Sequence, residues 1–337
     1  MFAKMRGLAV EILGALLLGA AIWLLLGRNN QGEAGLSKLF GFLNTPALLD
    51  VKTLFLSIML EAIPFVMLGV FFSAFIQTFI SEEQVRRWTP KNPLLAIPFA
   101  GLLGILFPIC ECAVIPVVRR LMQKGMPAHV GIVFLLAGPI VNPVVFTSTM
   151  VAFQRQPDLA YYRLGLAFVI AMIVGVLMLV LVKKNPLRLG MEREMRHERE
   201  HLEASRGKLG ATLNHAVDEF FDMGKYLLFG AMISSVLQVL ISRETLLSIG
   251  QTPLTSHLVM MGMAYVFSLC SEADAFIAAS FSNTFHASAL LAFLVYGPML
   301  DMKSTMMLFG SFRFTFVMKI LVIVTALVLT VTMLVPV

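Results

Sequence analysis

Charged side chains are scarce in this sequence: they make up 14% of its residues against 58% hydrophobic ones, and the mean hydropathy is +0.85. A soluble domain of 337 residues needs a larger polar fraction to cover its surface, so a soluble enzyme with one anchor is excluded. Cysteine is rarer still. Cys110, Cys112 and Cys270 are odd in number and lie in no cysteine-rich segment, which argues against a disulfide framework. The sequence has no C-x-x-C pair and no Walker A glycine loop. The expectation is therefore a protein that is not an enzyme, has no catalytic residues and needs no cofactor, with any metal ligands unknown.

What is present is a series of apolar runs of about 20 residues, each long enough at 1.5 Å per residue to cross a hydrocarbon core of roughly 30 Å. The first, Gly7 to Gly27, follows Lys4 and Arg6. No A-x-A-like site follows it, so it reads as a retained span rather than a signal peptide. The net charge of +6 and pI of about 9.3 come from short basic clusters between apolar runs, not from one basic face. That pattern excludes a nucleic-acid partner and marks orientation in a lipid bilayer.

The chain repeats itself at an offset of about 160 residues. Leu60-Glu61-Ala62-Ile63-Pro64 lies over Phe221-Asp222-Met223-Gly224-Lys225, and Gly69, Ser73 and Gln77 then fall on Gly230, Ser234 and Gln238. Farther on, Cys110-Glu111-Cys112 matches Cys270-Ser271-Glu272, and Gly138-Pro139-Ile140-Val141-Asn142 matches Gly297-Pro298-Met299-Leu300-Asp301. The Gly/Ser/Gln residues are four apart and form one helix stripe, read as packing between helices.

Lys and Arg in short loops mark the cytosolic side. Lys4 and Arg6 place the N-terminus there, and Arg86, Arg87 and Lys91 mark the next return. Residues 93–124 have basic residues at both ends, including Arg119, Arg120 and Lys124, as a re-entrant hairpin would. The charged stretch Lys183 to Lys208 is too polar for the membrane. In the second half the flanks Ser242 to Ser256 and Asn283 to His286 carry one Arg and no Lys, which opposite insertion predicts.

The expected fold is thus an all-α polytopic membrane protein with two inverted-topology repeats, about seven spans and two re-entrant helical hairpins, or about eleven spans if the hairpins cross. Residues 1–50 form an N-terminal transmembrane helix and external loop, 51–183 the first repeat, 184–211 a charged cytosolic linker and 212–337 the second repeat. The C-terminus is external.

Interrupted helices in such repeats meet near the bilayer midplane, where freed backbone groups hold the substrate. The breaks are expected at Pro108, Gly138, Pro139, Gly297 and Pro298. Acids in apolar surroundings are costly unless paired or hydrated, so intramembrane ones are functional candidates. Cys110, Glu111, Cys112, Asn142, Cys270, Glu272, Asp274 and Asp301 are the expected substrate contacts, and Glu61 and Asp222 the expected proton-coupling acids. Lys303 is a candidate to neutralise Asp301. Asp218, Glu219 and Lys225 are read as lying at the water-exposed end of their span. Thiolates prefer soft or borderline ions.

Phe107-Pro108-Ile109-Cys110-Glu111-Cys112 through Arg120, Gly138-Pro139-Ile140-Val141-Asn142-Pro143 and Leu269-Cys270-Ser271-Glu272-Ala273-Asp274 resemble the hallmarks of a bacterial family of predicted permeases. That family includes YraQ and the organoarsenical efflux permease ArsP. The resemblance runs from about residue 50 to the end of the chain and implies a permease of the bacterial cytoplasmic membrane. By resemblance to the arsenical exporters, Cys110, Cys112 and Cys270 would hold a thiophilic trivalent arsenical. The expected function is secondary transport of a small molecule or ion, with efflux of such an arsenical or a metal ion as the finer reading. The alternatives are a membrane-embedded thiol redox protein and a non-catalytic subunit of a membrane complex. Small-residue helix faces leave room for a homodimer.

Overall fold

The computed structural model describes residues 46–79, 81–90, 92–106, 110–182, 187, 208–240 and 252–335. The expected N-terminal span, Pro108 and almost all of the charged linker lie outside these residues. By its contacts the chain divides into a unit Met1–Lys52 and a unit Thr53–Val337, and the packing and site described below lie within the second.

The described residues are α-helical, apart from turns and an isolated bridge between Leu187 and Phe312. The helices are α1 (Pro46–Phe79), α2 (Glu82–Trp88), α3 (Pro93–Leu106), α4 (Glu111–Gln123), α5 (Ala128–Ala137), α6 (Pro143–Ala152) and α7 (Asp158–Leu181). They continue with α8 (Lys208–Leu240), α9 (Pro253–Phe267), α10 (Ser271–Ser280), α11 (Ala287–Met299), α12 (Met302–Ser311) and α13 (Phe314–Leu334). In a lipid solvent the backbone must satisfy its own hydrogen bonds, and a helix does so within one segment.

Among the described residues four stretches are long and apolar enough to cross a membrane: Ala47–Phe79, Asp158–Leu181, Ala216–Leu240 and Phe314–Leu334. About a third or less of each apolar window is buried in the protein, as expected of helices that face lipid on one side. The chain is an all-α polytopic membrane protein. Its remaining apolar helices are short: at 1.5 Å per residue, helices of 10 to 15 residues reach only roughly 15–22 Å. None crosses alone.

Start and stop residues explain these short pieces. Asn142 caps α6 by accepting the Val144 N–H at 2.9 Å, with Pro143 as first helical residue. Asp301 caps α12 in a reciprocal box, accepting the Ser304 N–H at 2.6 Å while Ser304 Oγ accepts the Asp301 N–H at 3.1 Å. Asn142 and Asp301 are the matched pair of the sequence repeat. Likewise Cys110 and Cys270 occupy the N-cap positions of α4 and α10. Gly138 closes α5, whereas α11 runs through Gly297 and Pro298 and ends at Met299.

The packing recurs with the sequence. In the first half α3, α5 and α7 pack on one another and α4 packs on α5; in the second, α9, α11 and α13 do so and α10 packs on α11. Across the halves α4 packs on α12 and α10 on α6. Gly69 and Gly230 permit two close approaches. A β-carbon on Gly69 would lie 2.5 Å from the Ala113 Cα of α4, and one on Gly230 2.7 Å from the Lys303 Cα of α12. The other stripe residues are indeed packing groups in the second half: Ser234 Oγ donates to the Val266 carbonyl, and Gln238 Nε2 to Ser234 Oγ at 3.1 Å.

Candidate functional site

Where the helix starts of the two halves meet, the interior carries charge. Lys303, on the first turn of α12, is 2% exposed. Its Nζ lies 3.2 Å from Glu111 Oε1 of α4 and 3.6 Å from Asp301 Oδ2. It also donates to the Ser268 carbonyl at 2.7 Å. The expected Lys303–Asp301 pair therefore exists, but the tighter partner is Glu111 of the other half. A buried ion pair is costly to desolvate and holds only when further hydrogen bonds complete it. Here Ser268 supplies one.

Ser268 earns that position through its backbone. It ends α9 with φ 50°, the sole non-glycine positive φ among the described residues, at a cost of about 1–3 kcal/mol. Its carbonyl thereby reaches Lys303, and its Oγ accepts the Met302 N–H at 3.1 Å. The strained turn thus joins the end of α9 to the start of α12.

Arg163 of α7 is the largest fully buried side chain among the described residues. Its Nε donates to the Leu294 carbonyl at 3.1 Å, one terminal nitrogen to Thr149 Oγ1 at 2.7 Å and the other to the Ser271 carbonyl at 2.8 Å. The first of these follows from the sequence. Pro298 has no N–H, so the Leu294 carbonyl four residues earlier loses its helical donor, and Arg163 replaces it. Asp274 of α10 faces this arginine, with Glu111, Lys303 and Asp301 also in its electrostatic surroundings. Its carboxyl rests against α11: a β-carbon on Gly297 would lie 2.7 Å from Asp274 Oδ2. Only glycine leaves that space.

The thiols flank this network. Cys110 and Cys112 are buried and adjoin Glu111; Cys270 is partly exposed, and all three are free. The Cys270 thiol is within hydrogen-bonding reach of Glu61 and faces Glu272, which is half-buried in the first turn of α10. Acids in the first turns of α4 and α10 are favoured by the positive ends of those helices. Among the described residues no three His, Cys, Asp or Glu side chains gather in a way that could hold a metal ion.

A second charged group joins the halves elsewhere. Glu219 of α8 is 3% exposed, accepts from Ser73 Oγ at 2.7 Å and pairs with Arg120 Nε at 3.3 Å. Arg119 reaches Asp222 at 3.4 Å, and Lys225 pairs with the same carboxylate at 2.5 Å. Asp222 thus stands with this group and not with Glu111, and its side chain is 38% exposed. Lys124 Nζ, on the same side of α4, donates to the Gln77 carbonyl at 2.8 Å.

Of the residues singled out in the sequence, the fold thus brings Glu111, Asp274 and Asp301 together, sets Cys110 and Cys112 beside them, and puts Glu61 with Cys270 and Glu272. Asn142 caps α6, which packs on α10. Sequence reasoning passed over Arg163, Ser268 and Glu219. A lone Arg within the apolar run of α7, with no acid at helical spacing, was the available signal for Arg163. Glu219, read as water-exposed, is buried because Arg120 and Ser73 come to it from the other half.

The chain matches the family model described as "Predicted permease" over residues 47–337. It is 46% identical over 281 residues to the UPF0718 protein YcgR of Bacillus subtilis, covering 83% of this chain and 95% of that one. It is 38% identical over 273 residues to a Streptococcus mutans protein that carries the provisional name of a two-component membrane permease complex subunit, covering 81% of this chain and 90% of that one. No solved structure matches. With this match along almost the whole described chain, and with helices among the described residues long and apolar enough to cross a membrane, the protein belongs to the predicted permease family.

Proposed function

We propose that the chain is a secondary transporter of the bacterial cytoplasmic membrane that exports a soft, thiol-reactive solute, a trivalent organoarsenical or a metal ion, through a pocket between two inverted halves. The observation that carries this reading is the buried Lys303–Glu111 pair, 3.2 Å apart, made by helix starts from opposite halves. A permease must open that contact and reclose it, and a charged or polarisable solute can take the place of either partner.

The inversion is supported by the recurring packing pairs and by the matched caps, Cys110 with Cys270 and Asn142 with Asp301. Positive charge near the N-terminus and at Arg86, Arg87 and Lys91 favours a cytosolic N-terminus and an external C-terminus. The substrate contacts of the reading are Cys110, Glu111, Cys112, Asn142, Cys270, Glu272, Asp274 and Asp301. The thiols give it its soft-solute preference. Coupling to protons needs a carboxyl that can empty and refill, for which Glu61 and Asp222 are the sequence candidates.

Everted membrane vesicles loaded against a panel of organoarsenicals and divalent metals test the reading. Uptake of at least one solute is expected, weakened tenfold or more by Cys110→Ser, Cys270→Ser or Glu111→Gln; movement unaltered by all three changes would remove the site. The name of the Streptococcus mutans relative favours a second reading in which the chain works beside another membrane subunit. Affinity purification from the native host, read by mass spectrometry, separates a lone chain or homodimer from a stoichiometric second subunit.

A further inference from the structure

Three carboxyls, Glu111, Asp274 and Asp301, share their surroundings with two cations, Lys303 and Arg163. Lys303 is held by Glu111 and Asp301. Arg163 donates to two backbone carbonyls and a hydroxyl, all neutral. Asp274 is left over. It is 1% exposed, and neither of its carboxyl oxygens has a hydrogen-bond partner among the described residues. Asp222, Glu219 and Glu61 differ in this respect. Asp222 is held by Lys225 and Arg119, Glu219 by Ser73 and Arg120, and Glu61 lies beside Cys270.

Resting on the transport reading above, we propose that Asp274 is the carboxyl at which the permease takes up and releases a proton, with Arg163 as the counter-charge that follows it. The structure then represents the loaded form. Asp274 is a neutral acid pressed against Gly297, and Arg163 is parked on Leu294, Thr149 and Ser271. When the proton leaves to water, the carboxylate attracts the guanidinium. Arg163 is already bound to the Ser271 carbonyl, one helical turn before Asp274 in α10, so a small swing brings an N–H to the acid.

That swing has a consequence for the halves. Arg163 and Thr149 belong to the first half, Leu294 and Ser271 to the second. An N–H withdrawn from Leu294 leaves the carbonyl freed by Pro298 without a donor, an expensive vacancy inside a membrane protein. Losing the proton therefore loosens the α7–α11 contact, and regaining it restores the contact. The charges that face Asp274 are Arg163 from α7, Glu111 from α4 and Asp301 and Lys303 from α12, with Glu272 on its own helix. The sequences of α6 and α11, which pack directly on α10, contain no charged residue.

Infrared spectroscopy of the purified full chain in nanodiscs, taken from acidic to alkaline buffer in water and deuterium oxide, tests this. The wild type should show a protonated-carboxyl band that fades as the buffer turns alkaline. Asp274→Asn should abolish it, while Glu111→Gln and Asp301→Asn keep it. A band that survives Asp274→Asn, a band lost instead with Glu111 or Asp301, or no pH-responsive band at all overturns the assignment. If Asp274→Asn does not yield a monodisperse protein, Asp274→Glu carries the test: the band must persist at a shifted frequency, and an unshifted band counts against the proposal. The spectra need no solute. A failure of vesicle transport would thus strike the transport reading and leave this assignment to its own result.

Discussion

Lys303 sits where three constraints converge: Glu111 from the other half, Asp301 two residues earlier and the strained Ser268 carbonyl. Replacing it by Met strands two acids in an apolar interior. Breaking a buried pair by removing one partner typically costs about 3–5 kcal/mol, so Lys303→Met is expected to lower the thermal unfolding temperature of the purified protein strongly. Adding Glu111→Gln should recover a measurable part of that loss; a double variant no better than the single would show that the pair is not the cause. Gly297 is the steric counterpart. A methyl group there meets Asp274 Oδ2, whereas one on Gly165, also in a membrane helix, meets nothing within 4 Å. Gly297→Ala should therefore destabilise by about 1–3 kcal/mol, and Gly165→Ala should be neutral or stabilise by up to about 1 kcal/mol. Equal effects in a melting assay would contradict the packing. The acids were legible because their expense in apolar surroundings is local. Arg163 was not, since its two carbonyl acceptors lie 108 and 131 residues away in sequence.

At the scale of the element, α4 is buried along nearly its whole length and carries charge at both ends. Glu111 opens it, and Arg119 and Arg120 stand near its close. A sequence reader takes basic residues at a helix end as orientation signals, because in loops they are. Here both arginines fold back against α8, and the partner of Arg120 is 99 residues away. Loop and clasp carry the same local signature, so the distinction requires the fold. Glu219→Gln should destabilise the protein, and Arg120→Gln likewise, whereas the exchange Arg120→Glu with Glu219→Arg should restore part of the loss. Additive effects in that double-variant cycle would show the two residues to be uncoupled. The short helices were legible in outline, through the Gly-Pro signals. The end of α11 was less so: Pro298 stays inside the last turn because Arg163 satisfies the carbonyl it frees.

Across the whole molecule, repetition in sequence and recurrence in packing agree: α3, α5 and α7 mirror α9, α11 and α13 in their mutual contacts, and α4 meets α12 as α10 meets α6. Family membership follows from the sequence match, and a permease that alternates between two openings has a physical use for halves that insert oppositely. Labelling from one side of the membrane tests that claim most directly. The turn after α4 and the turn after α10 are matched in the repeat, and Pro127 and Asn283 are exposed within them. Cysteines introduced singly as Pro127→Cys and Asn283→Cys, probed with a membrane-impermeant maleimide in right-side-out and everted vesicles, should react from opposite sides. Reaction of both from the same side would contradict the inverted arrangement.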